Sequence, residues 1–306
     1  MNIIDYLRLL LREWKHPYRR DFLRGGVGIL ERFKRCERYW APHLKLSREF
    51  ITRGLHDLER AQIAVLGAGR LFDVPLREMS EVAQGIALVD ADPGAVPSWR
   101  KAQKNLSRST TTFDFLVTDV SGRMDAWTTE LGRLGPNCSE REAVELFTAL
   151  AASKGMTPFT TSTFDCILSV NLLSQIPLFW EDRVRAKWPH LATGPEDRMS
   201  PKVEHALAAS KKLLIQEHLQ LIGNLSKRRV IILTDTLFHY YTKDNAHWRT
   251  EEALGENASI TLPSFTLTAT DSWLWHLAPQ GIERAEYGEI HKVSALLFER
   301  IGSVVS

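Results

Sequence analysis

Cysteine is scarce in this 306-residue chain, with only Cys36, Cys138 and Cys166, widely scattered. That excludes a disulfide framework and points to a reducing, cytoplasmic setting. Long apolar runs are missing too. Nothing approaches the roughly 18 residues that a bilayer-spanning helix needs, so no membrane association is expected. The opening Met1-Asn-Ile-Ile-Asp-Tyr-Leu-Arg8 sets charges among apolar side chains and does not read as a signal peptide. Charge of one sign is absent: 39 Lys+Arg against 37 Asp+Glu leaves +2, and no nucleic-acid partner is expected on that balance. There is no internal repeat and no low-complexity linker. The G-x-x-x-x-G-K-[ST] phosphate loop, the G-x-S-x-G elbow and the H-E-x-x-H zinc motif do not occur. The cysteines lack metal spacing and the ten histidines are dispersed, so no metal is expected. His205 and His218 read as helix-surface residues. What remains is 44% hydrophobic and 25% charged, an ordinary globular composition.

The charge is unevenly spread. Residues 1–60 hold 14 basic and 8 acidic side chains, and the rest hold 25 and 29. A basic front unit therefore precedes a mildly acidic body. Ile3, Ile4, Leu7, Leu10, Leu11 and Trp14 make one helical stripe that Pro17 ends. Gly25-Gly26-Val27-Gly28 is expected to break the chain. A second helix is expected from Ile29 and a third from about Leu44. The front unit reads as a helical cap whose arginines are a solvated face or, in the alternative, whose Gly-rich turn and arginines overhang a ligand site for an acidic molecule.

From residue 61 the rhythm changes. Ile63–Leu66, Ile86–Val89, Phe113–Val117, Phe164–Val170 and Arg229–Leu233 are short apolar runs that close on polar residues, as buried strands do. Helical stretches separate them, one after the Ser139-x-x-Glu142 capping box and another over 203–225. Ser272–Leu277 and His291–Phe298 read as a final antiparallel pair. The alternation predicts an α/β fold with a doubly wound, mostly parallel sheet. Ligands bind outside the carboxyl ends of such strands.

Gly67-Ala-Gly69 closes the first strand, where glycines let backbone N–H groups approach a ligand and a following helix start favours negative charge. Asp90 closes the second, suited to accept from two ribose hydroxyls. Asp119 closes the third, suited to accept from an exocyclic adenine amine or to hold a loop over the base. Here the chain resembles the class I S-adenosylmethionine-dependent methyltransferases. The likeness rests on Ala64-Val-Leu-Gly67-Ala-Gly69, Leu88-Val-Asp90-Ala-Asp92-Pro93, Val117-Thr-Asp119-Val120 and Phe164–Leu173, and spans roughly residues 60–300. It implies a Rossmann-like domain over 61–306, with insertions at about 120–162 and 176–203, behind the helical cap at 1–60. It also implies S-adenosylmethionine as cofactor, held by Gly67, Ala68, Gly69, Asp90, Ala91, Asp119, Val120 and Asn171. The acid usual two positions before the first glycine is Val65 here, and Asp73 is the substitute for it. A nicotinamide dehydrogenase is the less favoured nucleotide reading, because Phe72 stands where its fingerprint needs a small residue. A non-catalytic nucleotide-binding or interaction protein of the same fold is the other alternative.

The implied reaction moves a methyl group to nitrogen or oxygen of a small or medium-sized acceptor over Ser169, Val170 and Asn171. Asn171 suits the role of orienting that acceptor through its carbonyl oxygen; its alternative is to close the strand on its own backbone. His239, expected in a loop after the fifth strand, is the candidate general base, with ordinary packing as its alternative. Trp273 and Trp275 share one strand face, as core or as a pocket wall. The two insertions and the cap are expected to enclose the acceptor.

Overall fold

The computed structural model describes residues 3–13, 17–106, 109–155, 159, 163–192, 199–242, 247–255 and 258–302; Trp14, part of the expected first stripe, lies outside them. The elements run α1 (Ile3–Arg12), α2 (Pro17–Leu55), β1 (Ala61–Leu66), α3 (Leu76–Val82), β2 (Ala83–Asp90), α4 (Val96–Asn105), β3 (Thr112–Val117), α5 (Met124–Arg133) and α6 (Glu140–Ala152). They continue with β4 (Phe164–Val170), α7 (Leu172–Lys187), α8 (Pro201–Leu225), β5 (Ser226–Tyr241), β6 (His247–Glu252), β7 (Phe265–Ala278) and β8 (Gly288–Arg300). No helix among the described residues is long and apolar enough to cross a membrane.

The sheet order is β3-β2-β1-β4-β5-β8-β7, with β6 attached to β5. The first five are mutually parallel, and β8 runs antiparallel to both β5 and β7. This is the doubly wound α/β fold with its closing antiparallel pair. Strand order reverses between β1 and β4, which opens a crevice at their carboxyl ends. The apolar runs of β1 and β4 sit between two cores. One, on Ile63, Val65, Leu168 and Ile231, is covered by the end of α2 together with Met79 and Trp99. The other, on Ala64, Leu66, Ile167 and Ile232, is covered by Ile215, Leu219 and Ile222 of α8. β3 alternates between half-buried and exposed residues because it is an edge.

The front unit departs from expectation. Gly25, Gly26 and Gly28 interrupt nothing: α2 is one helix of 39 residues that also contains Pro42. Local propensity, roughly 1 kcal/mol per glycine against alanine, is overridden by tertiary packing. Trp40 and Leu44 seal onto Trp275, Leu277 and Val293. A Cβ on Gly54 would lie 2.7 Å from the Ile231 methyl, so the helix end rests directly on β5. β5 also exceeds expectation. It runs on to Tyr241 because β6 and β8 flank that extension and supply its ladder partners, and β6 itself was not foreseen. The capping box at Ser139 and Glu142 forms as expected. The helices of the 120–162 segment, α5 and α6, pack mainly on α7 and α8 through Trp127, Phe147, Trp180 and Leu207.

Arg229 fastens the end of α2 to the sheet. Its buried guanidinium donates to the Gly54 carbonyl at 2.7 Å and reaches Asp57 and Glu299. The hydrogen bond from Arg229 holds the Asp57 carboxyl at about 2, below its ordinary 3.8. A depressed carboxyl contributes stability that is full above its unfolded value and is lost as pH falls through the folded one. Arg229→Ala, which strands two carboxylates, is expected to cost about 3 kcal/mol in urea unfolding at neutral pH. Asp57→Asn is expected to remove part of the stability loss of the parent protein between pH 4 and pH 2; equal acid limbs in the two proteins would refute the pairing.

Candidate functional site

The loop after β1 owes its shape to backbone that only certain residues adopt easily. Gly67 and Gly69 have φ of +76° and +45°. A Cβ on Gly67 would lie 2.4 Å from the Val170 carbonyl, so that glycine lets the loop pass the end of β4. A Cβ on Gly69 would meet only the Gly67 carbonyl, at 4.0 Å; the space above it is open. No helix opens here, contrary to the sequence expectation. Leu71 is also left-handed and Pro75 precedes the helix, so α3 starts only at Leu76. The amides of Gly67 and Ala68 bond to the Val89 carbonyl, which fastens this loop to the end of β2.

Asp90 joins two motifs. Its Oδ2 accepts from Gly69 N–H and its Oδ1 from Asp92 N–H, both at 2.8 Å. The Trp99 indole holds the Gly69 carbonyl at 2.7 Å. Burial raises the Asp90 carboxyl, yet each oxygen keeps acceptor capacity for a ligand hydroxyl. Asp92, absent from the predicted site residues, is buried too. It accepts from Gly94 N–H at 2.7 Å, and burial together with the Asp90 charge pushes it up to about 7. Asp119 divides its two oxygens among Ser121, Arg123 and Met124. Of its two expected roles, holding the loop is the one its hydrogen bonds perform.

Asn171 ends β4 in the left-handed conformation, φ 58°. Its Nδ2 donates to Asp73 Oδ2 at 3.1 Å, while its Oδ1 is buried without a partner. The other oxygen of Asp73 lies 3.4 Å from His43 Nε2. His43 comes from α2, is fully buried, accepts at Nδ1 from the Trp273 indole at 2.9 Å and stacks on Trp275 at 4.1 Å. Nε2, near Asp73, forms no hydrogen bond. No sequence pattern flags His43; one helix turn after Tyr39 and Trp40 it reads as core.

These groups surround a cavity of about 410 Å³, within the range of small-ligand sites. Gly67, Ala68, Gly69, Asp73, Asp90, Ala91, Asp119, Val120 and Asn171 all line it. Helices expected to enclose the acceptor supply the rest of the wall, mostly through residues the sequence did not single out: Asp21, Phe22 and Trp40 of α2 beside Gly25 and Gly26, and Ile176, Phe179 and Asp182 of α7. Only Met124 comes from α5 and nothing from α6, so the first insertion encloses little of it. The roof is latched by a stacked Phe22–Phe179 pair, 4.1 Å apart, and by an Asp21–Arg183 ion pair. Trp275 lines the cavity; Trp273 binds His43 instead.

Three expectations fail here. His239 lies on β5, hydrogen-bonded to Thr250 at 3.0 Å, about 13 Å beyond Asp235 at the rise of a strand, and it does not line the cavity. His218 is not on a helix surface. It is buried against Ser169, at 2.8 Å, and burial lowers it to about 4; Ser169 is thereby turned away from the cavity. No arginine of the front unit lines the cavity, although Arg24 pairs with Asp21 of its wall. Arg32 and Arg35 pair with Glu283, Arg53 with Asp271, and Arg48 with the Phe72 carbonyl. Beneath this site a third buried histidine, His291, lies between Asp235 and Glu289 at 3.3 and 2.9 Å. Burial alone would lower it, but the two carboxylates raise it to about 9.

No protein-family model and no curated protein matches the chain. Solved structures with a similar arrangement include magnesium protoporphyrin IX methyltransferase of Synechocystis with bound S-adenosylmethionine (13% identity, TM-score 0.35, 86% of this chain and 90% of that one). A Pyrococcus horikoshii protein named as an RNA methyltransferase is similar at 11% identity, TM-score 0.38, over 83% of each chain. TehB of Haemophilus influenzae is similar at 6%, TM-score 0.37, over 82% of this chain and 61% of that one. The expectation that excluded nucleic acid as a partner is withdrawn, since a protein named for RNA stands among these structures.

Two glycines of α2 give a paired prediction. A Cβ on Gly26 would lie 1.9 Å from the Asp92 carboxylate, whereas one on Gly25 meets nothing within 4 Å. Gly25→Ala is expected to stabilise the fold by about 1 kcal/mol while filling cavity space, and Gly26→Ala to destabilise it; thermal melts that rank them otherwise would refute the roof geometry. For His291, whose folded value exceeds its unfolded one, the stabilisation is complete below pH 6.5 and is lost as pH rises through 9. His291→Gln is expected to flatten that alkaline decline in urea midpoints.

Proposed function

We propose that this chain is an S-adenosylmethionine-dependent methyltransferase that moves a methyl group to nitrogen or oxygen of a small or medium-sized acceptor beneath α2. We further take residues 1–60 as a cap on a 61–306 catalytic unit working in the cytoplasm, a setting that the free, buried Cys36, Cys138 and Cys166 suit. The observation that carries the reading is convergence: the ends of β1, β2, β3 and β4 all line the one cavity at the strand-order reversal.

The residues present fit such a cofactor. Open space above Gly69 lets a ligand lie against backbone, and Asp90 beside it retains acceptor capacity for hydroxyls. Asp73, held at one oxygen by Asn171 and facing the cavity, suits an ammonium group. The lost acid at Val65 is thereby replaced from the other side of the loop. When bound, the cofactor supplies a methyl group already activated on a sulfonium. The chain's own work is alignment and exclusion of water: Asn171 at the floor, Trp40 and Trp275 as walls, and the Phe22–Phe179 pair as closure. Dispersed carboxylates around the cavity also favour a cationic ligand over an anionic one.

S-adenosylhomocysteine at a hundredfold excess over its Kd is expected to stabilise the fold by about 2.7 kcal/mol, a rise of several degrees in melting temperature. Asp90→Asn, which keeps the shape but removes charge and turns a donor toward one of the two N–H groups, is expected to abolish most of that rise. An unshifted melting temperature at millimolar ligand sinks the reading, whereas binding without methyl turnover on any acceptor favours the non-catalytic alternative.

A further inference from the structure

Asp92 brings a second carboxyl to the end of β2, and one of its oxygens has no local task. Oδ1 caps the turn at Pro93–Ala95 through Gly94 N–H at 2.7 Å. Among the described residues nothing donates a hydrogen bond to Oδ2. Arg70 Nη2 stands 3.9 Å from it, beyond hydrogen-bond reach, and Arg70 Nε donates to the Gly26 carbonyl at 3.4 Å instead. The Asp92 and Arg70 side chains are only 10% and 7% exposed, and both line the cavity. Asp92 Oδ2 is not among the polar atoms sealed inside the protein without a partner, so the exposed tenth of this side chain includes it.

A carboxylate oxygen this deeply placed needs a donor. Its need is sharpened by Asp90: burial and the neighbouring charge together push Asp92 up to about 7. The two carboxyls are also one unit, because the Asp92 amide donates to Asp90 Oδ1. Each oxygen of Asp90 already accepts one N–H. The pair therefore calls for two donors set side by side that carry no negative charge. A second cation beside Asp92 would meet the charge of Arg70. Two hydroxyls on adjacent carbons satisfy all of these demands, since each is a neutral donor.

Resting on the methyl-transfer reading, we propose that the ribose diol of the cofactor is divided between two carboxyls: one hydroxyl donates to Asp90, and the other donates to Asp92 Oδ2 beside Arg70. The same oxygen lies against α2, where a Cβ on Gly26 would come within 1.9 Å of it. The second hydroxyl is therefore held next to the backbone of the roof helix. Asp92 then has two tasks, capping its own turn through Oδ1 and reading the ligand through Oδ2.

The test titrates the full-length protein calorimetrically with S-adenosylhomocysteine and with its 2′-deoxy and 3′-deoxy analogues. Asp92→Asn and Asp92→Ser are titrated in parallel; both keep a side-chain oxygen suited to the cap, and melts without ligand check the fold. In the parent protein each deoxy analogue is expected to bind about tenfold more weakly, the loss of one hydrogen bond. In both variants S-adenosylhomocysteine is expected to bind about tenfold more weakly. One of the two deoxy penalties is then expected to disappear while the other persists, as a double-mutant cycle requires of a direct contact. Three results overturn the division of the diol: a deoxy analogue that binds the parent as tightly as S-adenosylhomocysteine, both penalties intact in the variants, or both abolished, which would make Asp92 only a support for Asp90. The first is read on the parent alone and does not depend on how the variants fold. Failure of the parent to bind S-adenosylhomocysteine overturns the methyl-transfer reading beneath it.

Discussion

The carboxylate of Asp90 is the constraint on which the rest of the site depends. One oxygen holds Gly69 and the other holds Asp92, so the loops after β1 and β2 are a single rigid unit. Asp92, positioned by that bond, turns back to Gly94 and faces Gly26 so closely that a methyl there would overlap it. The roof helix is thus seated on the floor of the cavity through one side chain. Burying two carboxylates so near each other is unfavourable; the backbone amides and Arg70 offset it.

A second line of contact runs across the molecule. Trp273 of β7 orients His43 of α2, His43 faces Asp73 in the loop after β1, and Asp73 takes the amide of Asn171 at the end of β4. Four segments far apart in the chain therefore fix one carboxylate and one carbonyl oxygen. A side chain so over-determined keeps its rotamer, which is the pre-organisation that ligand orientation requires. It also makes α2 part of the site and not merely a cover for it.

Much of the site was legible in the chain. The strand ends at Gly67–Gly69, Asp90, Asp119 and Asn171 were readable because parallel strands buried on both faces make continuous apolar runs, and because ligands gather where such runs stop. The capping box at Ser139 was readable because its two hydrogen bonds are local. The Gly25–Gly28 segment was misread for the complementary reason. Its glycines speak against a helix locally, but the packing of Trp40, Leu44 and Gly54 on the sheet decides otherwise. His239 was misplaced because the continuation of β5 depends on partners that arrive about fifty residues later in the chain, at β8.

By itself the sequence determined the α/β class, the strand ends that gather at one crevice and the residue types that meet a ligand there, since each follows from short-range periodicity and turn chemistry. Tertiary structure alone decided which distant carboxylates the front arginines meet, that His43 and Asp92 belong to the site, and that Asn171 is tied to Asp73. Those outcomes depend on which distant groups come within hydrogen-bonding distance, and no local pattern encodes that.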